Sequence, residues 1–290
     1  MRFARSACLK RRPVVFAPGP VPSVFLRTRY TSIVNAGRRT SERVAGRRNG
    51  GSPRADVGVP KEEARLQRWL VSGLTREPLK PGQNRIICSE LDVLHGIADV
   101  VVATTNGTPT LAGWLRPSAL GSVNLTTAKV LTRFKYGLYQ PVSEVAAETG
   151  FSDKTVAEHL RSLEALGLIR RKGDKARLVR STRTPFKEVM AFEVKVADWR
   201  HGLYQATHYR AFANKVALAL PRKKAEAVAQ QKDIFKLFGI GLVGIERPGI
   251  LKWYIRPVRR NPVSPSRMLL GYVEILKRPQ ARALRANGRP

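Results

Sequence analysis

From residue 60 onward the apolar side chains fall into two rhythms, one of helices and one of strands. In "PKEEARLQRWLVSGL", Leu66, Trp69, Leu70 and Leu74 lie along one helical stripe. Pro60 opens the segment, and Glu62 and Glu63 occupy the first turn, where carboxylates oppose the helix dipole. "RIICSEL" is short and rich in isoleucine, and a turn signal follows at "HG". "IADVVVATTNGT" is a second β-branched run closing on Asn106-Gly107, a strong hairpin dipeptide. Later, "MAFEVKV" and "KVALALP" have strand spacing, with "WRHGLYQATHYRAF" between them as a helix. "RKKAEAVAQQKDIFKLFG" follows as one helix and "IGLVGIE" as a further strand.

Between about 122 and 180 the pattern changes. "TAKVLTRFKYG", "PVSEVAAETG" and "SDKTVAEHLRSLEALG" predict three helices, the second beginning near Pro141 or Val142 and the third capped by Ser152. "LIRRKGDKARLV" predicts two short basic strands around Gly173. Ala146 is small enough for two helices to cross closely, Gly150 can take the positive φ of a tight turn, and Val156, Leu160 and Leu163 give the third helix a buried face. This stretch resembles the winged helix-turn-helix domains of bacterial regulators. The resemblance implies that Ser152, Lys154, Thr155, His159 and Arg161 line a recognition helix, with Glu158 also outward. Arg170, Arg171, Lys172, Lys175 and Arg177 would then meet phosphates from the wing.

In "MAFEVKV" the pleat sends Phe192, Val194 and Val196 to one face and Ala191, Glu193 and Lys195 to the other. An isolated Glu-x-Lys is ordinarily an exposed ion pair of little energetic weight. Here, however, Asp99 heads another strongly apolar strand, where acids are disfavoured. Two acids held on rigid strands can share an oxygen-seeking divalent ion such as Mg²⁺, leaving the lysine to hold a phosphate or steer an attacking water. The order of helix, strand, Asp-bearing strand, Glu-x-Lys strand, Gln-bearing helix and strand resembles the PD-(D/E)XK nuclease superfamily. By that resemblance Asp99 and Glu193 are the metal acids, Lys195 the catalytic lysine and Gln205 a supporting polar residue. Glu90, Glu62 or Glu63 would be the additional acid found in some branches. Ala98 stands where the motif has proline. About ninety residues part Asp99 from Glu193, so the winged unit must be an insertion whose ends return to one sheet edge.

Charge narrows the partners. Lys and Arg number 53 against 21 acids, a formal net charge of +32, which points to a polyanion. No apolar run approaches the roughly 20 residues that span a bilayer, so nucleic acid fits better than a membrane. Residues 1–58 are rich in Arg, Pro, Ser and Gly, with Glu42 almost alone among acids before Asp56. They read as a flexible basic arm adding nonspecific phosphate contacts. The acid-free start is like a transit peptide, but prolines interrupt any amphipathic helix; an overextended translation start is the alternative. Cys8 and Cys88 found no disulfide framework, which fits an intracellular, cytoplasmic and nucleoid-associated setting with Cys88 a small buried residue. His201 and His208 lack a third convergent ligand, Trp199, Leu203 and Ala206 read as core stripe, and Tyr204 and Tyr209 fit either core or stacking roles.

The expectation is an α/β (α+β) chain. Residues 1–58 form the arm, 59–118 and 183–257 a nuclease-like mixed sheet flanked by helices, 119–182 the winged insertion, and 258–290 a basic extension ordered around "MLLGYVEIL" with no assigned role. The expected function is Mg²⁺-dependent endonuclease-like cleavage of double-stranded DNA, with a homodimer compatible. The alternatives are a winged-helix transcriptional regulator whose nuclease-like core is silent and serves dimerisation or ligand sensing, or a structural DNA-binding subunit of a defence or mobile-element complex.

Overall fold

The computed structural model describes residues 61–93, 96–106, 121–179 and 185–278. The arm with Cys8, His95 and the Gly107 half of the expected hairpin dipeptide lie outside them. Two strands, β1 (Gln83–Asp92) and β2 (Ile97–Asn106), pair antiparallel after helix α1 (Lys61–Arg76). The next strand of the same sheet is β6 (Glu188–Val194), antiparallel to β2. Strands β7 (Lys215–Pro221) and β8 (Gly241–Arg247) follow in parallel, and β9 (Ile250–Ile255) closes the order β1-β2-β6-β7-β8-β9 antiparallel. The result is a mixed six-stranded sheet flanked by helices.

Alternation along the strands builds two cores, one on each face. Leu66, Leu70 and Leu74 of α1 meet Ile87, Val100, Val102, Phe192, Val194, Ala217 and Val243 on one face; full burial of each leucine stabilises by about 1.5–3 kcal/mol. The other face carries Cys88, Val101, Val189, Ala191, Leu218 and Leu242 against Leu203 and Ala206 of α5 (Trp199–His208), Phe235 of α7 (Lys232–Phe238) and Tyr272. Burial raises the Cys88 thiol to about 11, so it stays protonated and acts as a small apolar residue, as expected.

The segment between β2 and β6 forms a smaller unit. It comprises α2 (Leu125–Leu131), α3 (Val142–Thr149), α4 (Asp153–Ala165) and a three-stranded sheet of order β3-β5-β4, from Gln140–Pro141, Lys175–Leu178 and Ile169–Lys172. Gly150 ends α3 at φ 71, and the Ser152 hydroxyl accepts the Thr155 N–H at 3.2 Å to cap α4, as the sequence requires. Val145, Val156, Leu160, Leu163 and Leu178 share its core.

Three departures from the sequence pattern have local causes. The first helix of this unit stops at Leu131: Thr132 caps it with its hydroxyl on the Ala128 carbonyl, and the chain turns to bury Phe134. The helix expected from Arg222 breaks into α6 (Arg222–Val228), a 3-10 turn at Ala229–Gln231 and α7, so that Ala225, Val228 and Phe235 all reach one core. Strand β9 follows a Pro248-Gly249 turn with Gly249 at φ 83. The C-terminal extension, expected to be basic, ordered around "MLLGYVEIL" and without a role, is held in place as α8 (Pro265–Lys277) by burying Leu269, Leu270, Tyr272, Val273 and Ile275.

Candidate active site and nucleic-acid interface

The long excursion between β2 and β6 closes on itself. Val100 stands opposite Phe192, and continuing the register by one residue sets Asp99 opposite Glu193. The Val194 N–H donates to Asp99 Oδ2 at 2.6 Å across 95 positions of sequence. Next to it, Lys195 Nζ lies 3.0 Å from Glu193 Oε1 and 3.7 Å from Glu63 Oε2. The Tyr209 hydroxyl donates to the other oxygen of Glu193 and also lies 2.9 Å from the Ile97 carbonyl. Three carboxylates thus face one ammonium.

Two helices hold this arrangement. From α1, Gln67 Nε2 donates to the Asp99 carbonyl at 2.5 Å, which steadies the acid's backbone while the same helix presents Glu63. From α5, Gly202 lies so close that a Cβ there would stand 2.7 Å from Lys195 Cγ and 2.8 Å from Leu218 Cδ1. A glycine lets the helix approach the lysine stem. Gln205 is one turn from Gly202 and from Tyr209, and its Oε1 is buried with no hydrogen-bond partner among the described residues.

Burial governs the electrostatics. Glu193 is only 2% exposed. Its carboxyl is raised by burial, against the opposing pull of the Tyr209 hydroxyl and Lys195. Asp99 is pushed up to about 7 by burial and then by Glu193, with the Val194 N–H and Lys195 acting the other way. Burial alone would lower Lys195, but Glu193, Glu63 and Asp99 together raise it and keep it charged. The Tyr209 hydroxyl is raised by burial and by Glu193, so it remains a donor. Buried acids crowded in this way destabilise a fold unless a cation or protons compensate them.

The donors are oxygens, the kind a hard divalent ion takes. Asp99, Glu193 and Glu63 offer oxygen, and Mg²⁺ takes one or two carboxylates and keeps waters for the rest of its shell. Among the described residues no three of His, Cys, Asp and Glu form a group able to hold an ion by themselves, so waters or phosphate oxygens would have to complete the coordination.

Glu90 does not join this centre. It is exposed, its φ is 53, and it drops out of the β1–β2 ladder between the Ser89 and Leu91 pairs. Of the three acids left open by sequence, Glu63 is the one that reaches Lys195. His201 and His208 lie exposed on α5 on either side of Tyr204, whose ring meets His208 edge-on at 4.7 Å. Trp199 stacks on Phe235 with centroids 6.0 Å apart, and Leu203 and Ala206 are core. Sequence reasoning missed Gln67 and Gly202 and left Tyr209 undecided. The spacing of Gly202, Gln205 and Tyr209 on one helical face was the available signal.

On the smaller unit the basic residues separate into two groups. Arg170 pairs directly with Arg177, and Lys172 with Lys175, so four cations share one face of the β4–β5 hairpin. Like charges set opposite one another are destabilising unless an anion is nearby. Arg171 pairs with Ala176 and turns to the opposite face; its Nε is buried, as is that of Arg177. Arg177 lies over the Tyr139 ring at 4.8 Å. On α4, Lys154 and Arg161 are exposed. The Ser152 and Thr155 hydroxyls bond each other at 2.9 Å, and His159 Nδ1 meets the Thr127 hydroxyl at 3.1 Å, so these three residues serve the fold first. Among the described residues none of Lys154, Arg161, Arg170, Lys172, Lys175 and Arg177 makes a side-chain ion pair.

No described helix is long and apolar enough to cross a membrane. Compared with protein-family models, with curated proteins and with solved structures, the chain finds no match in any of the three.

Proposed function

We propose that the chain is a Mg²⁺-dependent DNA phosphodiesterase: a PD-(D/E)XK-like core that cuts, docked on duplex DNA by an inserted winged helix-turn-helix unit. The observation that carries this reading is the meeting of Asp99 on β2, Glu193 on β6 and Lys195 just past its end after an excursion of 95 positions, with Glu63 added from α1. A purely structural core gains little from such a cluster, because apolar residues of similar volume are often at least as stable as a buried ion pair. Asp99 and Glu193 would hold the ion, which when bound supplies charge neutralisation at a phosphodiester and lowers the pKa of bound water. Lys195 places a fixed positive charge where a phosphate oxygen or the attacking water must lie. Tyr209 keeps Glu193 oriented through its hydroxyl. On the smaller unit, the cations of the β4–β5 face and of α4 that make no ion pair among the described residues would meet the DNA backbone and a groove.

The direct test is incubation with supercoiled plasmid and with branched oligonucleotides in Mg²⁺ or Mn²⁺, beside Asp99→Ala, Glu193→Ala and Lys195→Ala. Cutting by the parent that each substitution abolishes supports the reading; metal-independent cutting, or cutting that survives all three, overturns it. One observation favours a second reading, a DNA-binding regulator with a silent core: both Glu193 oxygens are already engaged, one by Lys195 and one by Tyr209. Tight, EDTA-insensitive binding with no cleavage of any substrate would select it.

A further inference from the structure

We propose that α8 makes the recognition helix and the acidic centre one rigid body, so that DNA is cut at a single fixed distance from the sequence that α4 reads. This rests on the nuclease reading above and adds to it where the cut falls. One helix belongs to both hydrophobic cores. Leu269, Leu270 and Val273 complete the core of the smaller unit, whereas Tyr272 and Ile275 lie in the core beneath the sheet, and Leu276 packs against both. Tyr272 meets Phe186 edge-on with centroids 5.2 Å apart. At Gly271 a Cβ would stand 2.8 Å from the Phe212 ring, so α8 sits directly on the segment that follows Tyr209. Arg278, just past its end, donates to the Glu90 carbonyl at 2.7 Å.

A continuous series of packed contacts joins the two ends. His159 ties α4 to Thr127 of α2 at 3.1 Å, and α2 packs on α8. Helix α8 packs on β1 and on the 3-10 turn Tyr209–Ala211, whose first residue holds Glu193. Domains joined by small polar contacts move relative to each other, but a buried apolar seam suppresses that motion. The chain passes between the two units twice, and α8 adds a third link whose buried side chains are almost all apolar. Leu269, Leu270 and Val273 are therefore positioning residues: they touch neither DNA nor the acidic centre, yet they set the offset between them.

The test reads position without relying on the protein's own chemistry. In the full chain carrying Cys8→Ser, an iron–EDTA chelate is attached at Lys223→Cys, an exposed position in the cleft of about 650 Å³ that also contains Glu62 and Val196. Cys88, at 1% exposure, is not labelled. On a duplex carrying a site selected from random sequence, the chelate is expected to cut one narrow window at constant distance from the site. Leu270→Ala combined with Val273→Ala is expected to widen that window several-fold while DNA affinity is unchanged. A wide window in the parent, or an equally narrow one in the variant, overturns the proposal. Should the variant fail to fold, spin labels at Ser162→Cys and Lys223→Cys in the chain changed otherwise only by Cys8→Ser decide: a single narrow distance peak supports the proposal, and a broad or split one overturns it. A narrow window together with an inert Asp99, Glu193 and Lys195 centre would defeat the nuclease reading while leaving the rigid coupling standing.

Discussion

Replacing Asp99 by Asn isolates the cost of keeping an acid inside this molecule. Burial first, and Glu193 second, push the Asp99 carboxyl from an ordinary 3.8 up to about 7. Between those values the folded chain keeps a proton that the unfolded chain has released. The carboxyl's favourable contribution is thus fully present below about 3.8 and is lost as pH rises through about 7. One proton of difference is worth about 1.4 kcal/mol per pH unit, so a window of about three units amounts to something on the order of 4 kcal/mol. Asn retains an oxygen for the Val194 N–H but has nothing to ionise. In EDTA, Asp99→Asn should match the parent near pH 4 and exceed its stability by about 2–4 kcal/mol at pH 8. At about 2–4 °C per kcal/mol for a domain of this size, the melting temperature should rise by about 5–10 °C. Thermal and urea unfolding from pH 4 to 8 measure this directly. Parallel pH profiles for the two proteins, or a variant less stable at pH 8, would refute the burial argument. Added Mg²⁺ should raise the parent's melting temperature more at pH 8 than at pH 6, and should not raise that of Asp99→Asn.

Other substitutions probe the surroundings. Tyr209→Phe removes a hydrogen bond that holds the Glu193 carboxyl down, so the pH at which metal binding is half lost should move upward, as followed by calorimetry across pH. Gly202→Val forces a side chain against Lys195 and Leu218; overpacking of about 1–3 kcal/mol is expected in urea unfolding, with cleavage falling much further than DNA affinity. Alanine at Arg170, Lys172 or Lys175 should each lower the slope of log affinity against log salt by about 1, whereas Arg171→Ala should leave the slope unchanged and weaken the fold. Lys154→Ala with Arg161→Ala should weaken duplex binding in a gel-shift titration, and unchanged affinity would remove α4 from the interface.

Strand alternation carried most of what was legible in the sequence. In "MAFEVKV" the period of two alone separated Glu193 and Lys195 from Phe192 and Val194, and the structure keeps that division. The Ser152 cap and the Val156, Leu160, Leu163 stripe were equally readable because both are local. What escaped depends on contacts distant in sequence. Nothing near Glu63 distinguishes it from Glu62 or Glu90; only the packing of α1 across the sheet brings it to Lys195. His159 looked outward by helical spacing, but Thr127 on a neighbouring helix captures it. Strand β9 was signalled only by a Pro-Gly turn. The order around "MLLGYVEIL" was readable, but what α8 packs against was not, because its partners Phe186, Phe212 and the 121–179 unit lie far away in sequence.

The hairpin-like closure of β2 on β6 suggests that the 121–179 unit can be cut out and its ends rejoined, as if it were a cassette. Helix α8 forbids so simple an exchange. Excision would strip the cover from Leu269, Leu270 and Val273 and leave a greasy seam in water, inviting self-association. Any graft of a foreign unit onto this scaffold, or of this unit onto another, must therefore carry a matching rewrite of a helix that begins some ninety residues downstream of the unit it serves.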